Sequence, residues 1–218
     1  MEDQQITLGY WKIRGLAQPI RFCLEYANVK YNEVLYEQGD GPEFSRECWL
    51  SEKYNIGLDF PNLPYFIDGQ LKFTESNAIL RYIAHKWCPQ LNGKTYEDFA
   101  KVEMLNGILN DIKSCTTMHC YRTGNVEQMK KEVYPMFDAV TKYLGNKKFL
   151  VGDYVTYVDF ILYEYTELFA SVTNNQFYEQ YPTLKQLKEN IESIETIKEY
   201  LNSERFSARP FNNKIAKI

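Results

Sequence analysis

The sequence predicts two units in tandem, a mixed α/β unit followed by an all-α one. Three observations carry this. Short β-prone runs separated by turn residues occur only up to Thr74. Every later apolar pattern repeats at helical spacing. Between the two regimes, Trp87 to Asn92 holds Cys88-Pro89 and runs into Asn92-Gly93, turn chemistry that reads as a linker. A chain of 218 residues has room for one large core or two smaller ones, and the change of period favours two.

Residues 6–10 read as the first strand. Gly15-Leu16 then opens a helix that tolerates Pro19 in its first turn and carries Ile20, Leu24 and Ala27 on one face. Residues 32–36 read as the second strand. Tyr65-Phe66-Ile67 and residues 71–74 form an antiparallel pair, joined by Asp68-Gly69, a dipeptide that accepts positive φ. Ser76 precedes a segment in which Ile79, Leu80 and Ile83 recur at helical spacing, so it stands at or near an N-cap. Strand, helix, strand, turn, strand, strand, helix is the order of a thioredoxin-like domain with a four-stranded mixed sheet, which leaves a ligand cleft at its strand ends. The expected boundaries are residues 1–86 for this domain, 87–92 for the linker and 93–218 for the helical domain.

Helical patterns in that second domain cover residues 96–119, 126–144, 156–170, 183–191 and 194–202. The third of these opens on Val155-Thr156-Tyr157-Val158-Asp159-Phe160, the pattern of a capping box closed by a hydrophobic staple. Its body is apolar around much of its circumference and should be buried. Thr156 and Asp159 therefore take a folding role.

The composition, 44% hydrophobic and 25% charged with a mean hydropathy of −0.47, is that of a globular protein. No apolar run reaches the roughly 20 residues that span a bilayer. The polar start Met1-Glu-Asp-Gln-Gln is unlike a signal peptide, so a cytoplasmic location is expected. A net charge of −4 and a pI near 5.4 exclude a nucleic-acid partner, which needs a concentrated basic surface. Five scattered cysteines without a CxxC indicate neither a disulfide framework nor a redox pair. Cys115, His119 and Cys120 lack paired ligand spacing in a chain with two histidines, so no metal site is expected.

Residues 60–76 combine a turn, the hairpin and a helix start. A helix N-terminus with a hydroxyl and free amides suits a carboxylate, and Leu63-Pro64 is a candidate cis peptide that would turn residue 63 toward an extended ligand.

These residues carry a family resemblance. Leu8-Gly-Tyr-Trp-Lys-Ile-Arg-Gly-Leu16, Gly39-Asp40-Gly41-Pro42, Arg46-Glu-Cys-Trp49, residues 57–65 with Asn62-Leu63-Pro64, and Ser76-Asn-Ala-Ile-Leu-Arg-Tyr82 together resemble the mu class of glutathione S-transferases over essentially the whole chain. The resemblance implies a homodimer that conjugates glutathione to apolar electrophiles, with glutathione as co-substrate and no cofactor. It implies that Tyr10 is catalytic and donates a hydrogen bond to the thiolate. Trp11, Leu16, Trp49, Lys53, Asn62, Leu63, Glu75 and Ser76 would complete the tripeptide site, with Trp49 and Lys53 on the glycyl carboxylate and Ser76 on the γ-glutamyl one. Asp111 would reach the ligand's ammonium group from the neighbouring subunit. Tyr121 would face the electrophile, and Phe60 and Arg81 would lie at the dimer interface. Two departures stand out: Glu75 where the class usually has Gln, and a tail after Arg209-Pro210 without the aromatic pattern that closes the mu pocket. A glutathione or apolar-ligand carrier that kept the fold, and a glutathione-dependent lipid peroxide isomerase, are also compatible with the sequence.

Overall fold

The computed structural model describes residues 5–218; the polar start at residues 1–4 lies outside them. Strand β1 (Ile6–Trp11) leads through a single 3-10 turn into α1 (Gln18–Tyr26), then β2 (Asn32–Tyr36), the short α2 (Glu47–Leu50), the hairpin β3 (Tyr65–Asp68) and β4 (Leu71–Thr74), and α3 (Ser76–Trp87). The strand order is β2-β1-β3-β4, with β1 parallel to β2 and the other pairs antiparallel. This is the mixed four-stranded sheet that the pattern of elements predicts. The helical part comprises α4 (Tyr96–Met118), α5 (Val126–Leu144), α6 (Tyr157–Val172), α7 (Gln176–Gln180), α8 (Pro182–Glu192) and α9 (Glu195–Leu201).

One local detail differs from expectation. Asp68 is the last residue of β3 and pairs with Leu71, so the hairpin loop is Gly69-Gln70, with Gly69 at φ 60°. The Asp68 carboxylate is spent on α3, where it accepts from Tyr82 Oη at 2.6 Å and from Lys86 Nζ. Ser76 stands next to the N-cap of α3, as expected: Glu75 is the cap and Ser76 the first helical residue. One short helix, α7, escaped the sequence because five residues make too little of a helical period to stand out.

Helix α6 is the central column. Nearly its whole circumference is buried, including Glu164 and Asp159. One side receives the sheet domain: Phe22 of α1 meets Phe160 at 5.6 Å and Tyr163 at 5.1 Å between ring centroids. The other side packs Phe169 against Phe137 of α5 and Phe177 of α7, at 5.0 and 5.6 Å. The Phe22–Tyr163 and Phe137–Phe169 pairs are edge-to-face, an arrangement that adds about 0.5–1.5 kcal/mol each beyond the area buried.

The start of α6 is built as its sequence predicts. Asp159 Oδ2 accepts from Thr156 N at 2.7 Å and Thr156 Oγ1 at 2.8 Å, and Oδ1 accepts from Leu150 N at 2.8 Å. The carboxylate thereby ties the helix start to the preceding loop, and replacing it with Ala should cost about 2–4 kcal/mol because buried donors lose their partner. Thermal unfolding of Asp159→Ala measures this. Burial raises the Asp159 carboxyl to about 6 while its donors pull it down. Its folded value lies above the roughly 3.9 of the unfolded chain, so the stability linked to this group is complete below about pH 4 and lost as pH rises through 6. Asp159→Asn should remove that slope from the stability profile between pH 4 and 6.

Candidate active site

The site grows from the C-terminal end of β1. The register sets Gly9 opposite Tyr65 of β3, and Tyr65 opposite Thr74 of β4. Tyr10 and Trp11, Leu63-Pro64 and Glu75-Ser76 therefore share one end of the sheet. Gly9 is required there, because a Cβ would come within 2.0 Å of the Tyr65 ring. The Leu63-Pro64 peptide is cis, as the sequence suggested. Glu75 sits at φ 74°, ψ 108°, a backbone conformation that costs a non-glycine residue about 1–3 kcal/mol and that concentrates at ligand-binding positions.

After β1 the chain turns sharply. Gly15 has φ 42°, and a Cβ on it would approach the Tyr10 hydroxyl to 2.8 Å, so glycine makes the turn and leaves the hydroxyl its space. Leu16 N then donates to Tyr10 Oη at 3.1 Å. The same turn is tied to the C-terminal tail by Arg14 N to Pro210 O and Gly15 N to Phe211 O, at 2.9 and 3.1 Å. Arg14 reaches into the helical domain, where Nη2 donates to Glu164 Oε2 at 2.6 Å and Nε to both carboxylate oxygens. Both side chains are almost fully buried.

Tyr10 opens onto a cavity of about 310 Å³ with mostly apolar walls, bounded by Ile13, Leu168 and Phe211 and by one face of α4. That face presents Lys113, Thr116 and Thr117. Beyond Met118 the helix widens into a single π-helical turn, His119–Thr123, ended by Gly124 at φ 68°. The extra residue of a π turn swings Cys120 and Tyr121 onto the cavity wall. The tail crosses this turn, with Asn213 N donating to Tyr121 Oη at 3.0 Å and Lys217 N to Cys120 O at 2.8 Å. Although its sequence departs from the class pattern, the tail closes the cavity through Phe211 and Asn212.

The hydroxyls of Tyr10 and Tyr121 have a shared property. Tyr157, Tyr163 and Tyr178 donate their protons to the carboxylates of Glu103, Glu192 and Glu167. Tyr10 and Tyr121 instead accept a backbone N–H, which leaves each phenolic proton for whatever enters the cavity. Burial pushes the Tyr10 hydroxyl well above its usual range, against the lowering effect of the Leu16 amide. It is protonated at neutral pH and acts as a donor.

Of the remaining predicted residues only Leu16 reaches the cavity. Trp49 is buried in a stack with Tyr65, 6.2 Å between centroids, and against Tyr36 at 5.3 Å; Trp11 meets Tyr36 at 6.4 Å. Lys53 is half-buried with its Nζ over Tyr54, while Asn62 and Glu75 are exposed and Ser76 is half-buried. Lys113 joins the two regions: burial lowers its ammonium, and the charge of Glu75 raises it. Asp111 is exposed on α4, and Phe60 is 81% exposed in the loop before β3. Arg81 is engaged within the chain, by a two-pronged pair with Glu103 at 2.9 and 2.6 Å.

Lys113, Thr116, Glu164 and Phe211 were not among the sequence candidates. Lys113, Thr117 and Tyr121 recur at steps of four, a helix-face signal the sequence held. Glu164 and Phe211 had no such signal, since only the packing of α6 and the tail against β1 brings them there. His119 is buried behind the cavity wall rather than in it.

A thioredoxin-like sheet that presents a protonated phenol to a cavity walled by a helical domain defines a two-domain class built to hold a nucleophile beside an apolar partner. The model of the glutathione S-transferase N-terminal domain matches residues 6–85, and that of the C-terminal domain residues 110–204. The chain is 40% identical to glutathione S-transferase Mu 1 of Macaca fascicularis and 40% identical to glutathione S-transferase Mu 4 of Homo sapiens, each over 97% of both chains. It is 41% identical to glutathione S-transferase B of Cavia porcellus over the same shares. The crystal structure of the glutathione S-transferase Blo t 8 superposes with a TM-score of 0.82 at 28% identity, covering 97% of this chain and 99% of that one. The chain belongs to the glutathione S-transferase family, in its Mu class.

The buried pair makes a direct test of how the two domains are joined. Glu164→Ala leaves the Arg14 charge buried without a partner and should cost about 3–5 kcal/mol in urea unfolding. The Arg14→Ala, Glu164→Ala double variant should lose less than the sum of the two single variants.

Proposed function

We propose that this glutathione S-transferase ionises the thiol of glutathione at Tyr10 and directs the thiolate onto apolar electrophiles in the adjoining cavity. The observation that carries the reading is the Tyr10 hydroxyl, held protonated by burial, whose oxygen already accepts the Leu16 amide so that its proton is left for the cavity. A free thiol has a pKa near 8.5 and is mostly protonated at neutral pH. A phenol hydrogen bond to sulfur favours the charged form, each pKa unit being worth about 1.4 kcal/mol.

In this reading the sulfur attacks the electrophilic carbon, the carbon–sulfur bond forms, and a leaving group departs or a conjugate addition is completed by a proton. Tyr121 stands on the opposite wall with a free phenolic proton, suited to charge that develops on the electrophile. The step transfers no electron to or from a third party and calls for no cofactor beyond glutathione as co-substrate. Trp11, Leu16, Trp49, Lys53, Asn62, Leu63, Glu75 and Ser76 hold the tripeptide at that end of the sheet, with the N-terminus of α3 receiving a carboxylate. The division at residues 86 and 93 belongs to the same reading, the first domain binding glutathione and the second the electrophile.

We also assign a homodimer. Phe60, Tyr96, Met104 and Ile108 are exposed apolar side chains, a combination that a partner surface would cover. Asp111 lies on the same helix as the last three, from where it would serve the neighbouring subunit's ligand. Arg81, although paired with Glu103, is assigned to the same interface. A cytoplasmic location accompanies this reading; among the described residues no helix is long and apolar enough to cross a membrane.

Tyr10→Phe keeps the ring and removes the donor. Its kcat/KM with glutathione and an aromatic halide should fall about 10²-fold. The thiol of bound glutathione, followed by its ultraviolet absorbance, should titrate higher, with little change in glutathione affinity. Full activity with an unshifted titration would remove Tyr10 from the mechanism. Phe60→Ala should weaken self-association at least about tenfold in sedimentation equilibrium, and an unchanged dimer would take Phe60 out of the interface.

A further inference from the structure

Where α4 meets α5, behind the cavity wall, three ligating side chains from different elements converge. Cys115 and His119 stand four residues apart, one helical turn, across the end of α4 and the start of the π turn. Glu132 comes from α5. Cys115 Sγ is 3.4 Å and His119 Nε2 3.0 Å from the same oxygen, Glu132 Oε2, and the three ligating atoms lie within 4.8 Å of one another. A tetrahedral ion with bonds of about 2.3 Å to sulfur and about 2.0–2.1 Å to nitrogen and oxygen spaces its ligand atoms about 3.3–3.5 Å apart. The two separations to Glu132 Oε2 are on that scale and the third lies within 4.8 Å, so side-chain adjustment alone lets a cation enter.

We propose that Cys115 Sγ, His119 Nε2 and Glu132 Oε2 bind one zinc-class divalent cation, with water in the fourth position. A thiolate, an imidazole and a carboxylate suit a borderline-soft ion and disfavour magnesium or calcium, which take oxygen ligands. The supporting shell is in place. His119 Nδ1 lies 2.8 Å from Thr123 Oγ1, which orients the ring and aims Nε2 at the cluster, and Gln128 Nε2 donates to the other Glu132 oxygen at 2.5 Å. Glu132 is partly exposed and provides the way in from solvent.

Without the ion, the Cys115 S–H and an Nε2–H both donate to Glu132, a closed network that holds the site together. The incoming cation takes the place of both hydrogens. The thiol proton leaves to solvent and the imidazole stays neutral, its proton on Nδ1 toward Thr123 Oγ1. Counting histidines along the chain disfavoured a metal because the third ligand is remote in sequence; α5 delivers it. Cys120, the other cysteine of that stretch, faces the cavity instead. The site clamps α4 to α5 across the π turn that carries Tyr121, so the ion would bear on the cavity wall. This inference is independent of the assignment of Tyr10.

Cobalt(II) is the probe, titrated into the full-length protein with Cys48→Ser as background to remove an exposed competing thiol. The expected result is one cobalt per chain, with a thiolate-to-metal charge-transfer band and tetrahedral visible bands. Cys115→Ser should abolish the charge-transfer band, and His119→Gln should weaken binding at least about tenfold. Cys120→Ser should leave the spectrum unchanged. Glu132→Gln changes a partly exposed side chain and keeps the test decisive if a buried variant fails to fold; it should also weaken binding at least about tenfold. A charge-transfer band that persists in Cys115→Ser, cobalt affinity unaltered by Glu132→Gln, or no stoichiometric band in the background protein overturns the proposal.

Discussion

A guanidinium and a carboxylate meet in a nearly dry seam between the two domains, and the position of the Tyr10 hydroxyl hangs on that meeting. Arg14 occupies the turn between β1 and α1 and pairs with Glu164 in the middle of α6. Its own amide and that of Gly15 are taken by the tail, and the next amide, of Leu16, by the Tyr10 hydroxyl. The Arg14 ring of contacts is completed by Phe206 and Phe211, whose faces lie 5.6 and 4.3 Å from the guanidinium carbon. Such a pair adds little net stability, because two charges leave water to make it. What it supplies is position: a turn held by the helical domain on one side and the tail on the other has little freedom to move the phenol it contains.

That restraint explains how one tyrosine among 18 can be singled out. Chemically the phenols are equivalent. They differ in what their oxygens meet. Most of the buried ones close an ion network by donating to a carboxylate, and so have no proton left to offer. Tyr10 and Tyr121 meet a backbone donor instead, from the β1–α1 turn and from the tail. The phenolic protons of Tyr10 and Tyr121 consequently face one cavity from two domains.

The helical domain contributes through a local defect. A regular α4 would carry Tyr121 past the cavity, whereas the π turn at its end rotates residues 119–123 and lets Cys120 and Tyr121 face inward. The buried His119 and its partners Thr123 and Glu132 brace that turn from behind. Binding wall and bracing cluster are thus two faces of one short segment, which is why a ligand at the rear would be felt at the front.

Much of this architecture was legible in the residues themselves. Alternation in the strands, the helical period of α4, α5 and α6, the capping pattern at Thr156 and Asp159 and the glycine of the β3–β4 loop are local signals, since each depends on neighbours within a turn or a pleat. Tyr10, Leu16 and Tyr121, picked out through short motifs, line the cavity. What the chain alone left undecided was everything set by meetings across long separations: the Arg14–Glu164 pair, Phe211 as a wall, the approach of Lys113 to Glu75, and Glu132 beside Cys115 and His119. Local sequence determines which elements form and which faces they bury, because those depend on short-range sterics and periodicity. Which side chains then confront one another is decided by the packing of α6 between its neighbours, a choice made collectively by the whole core.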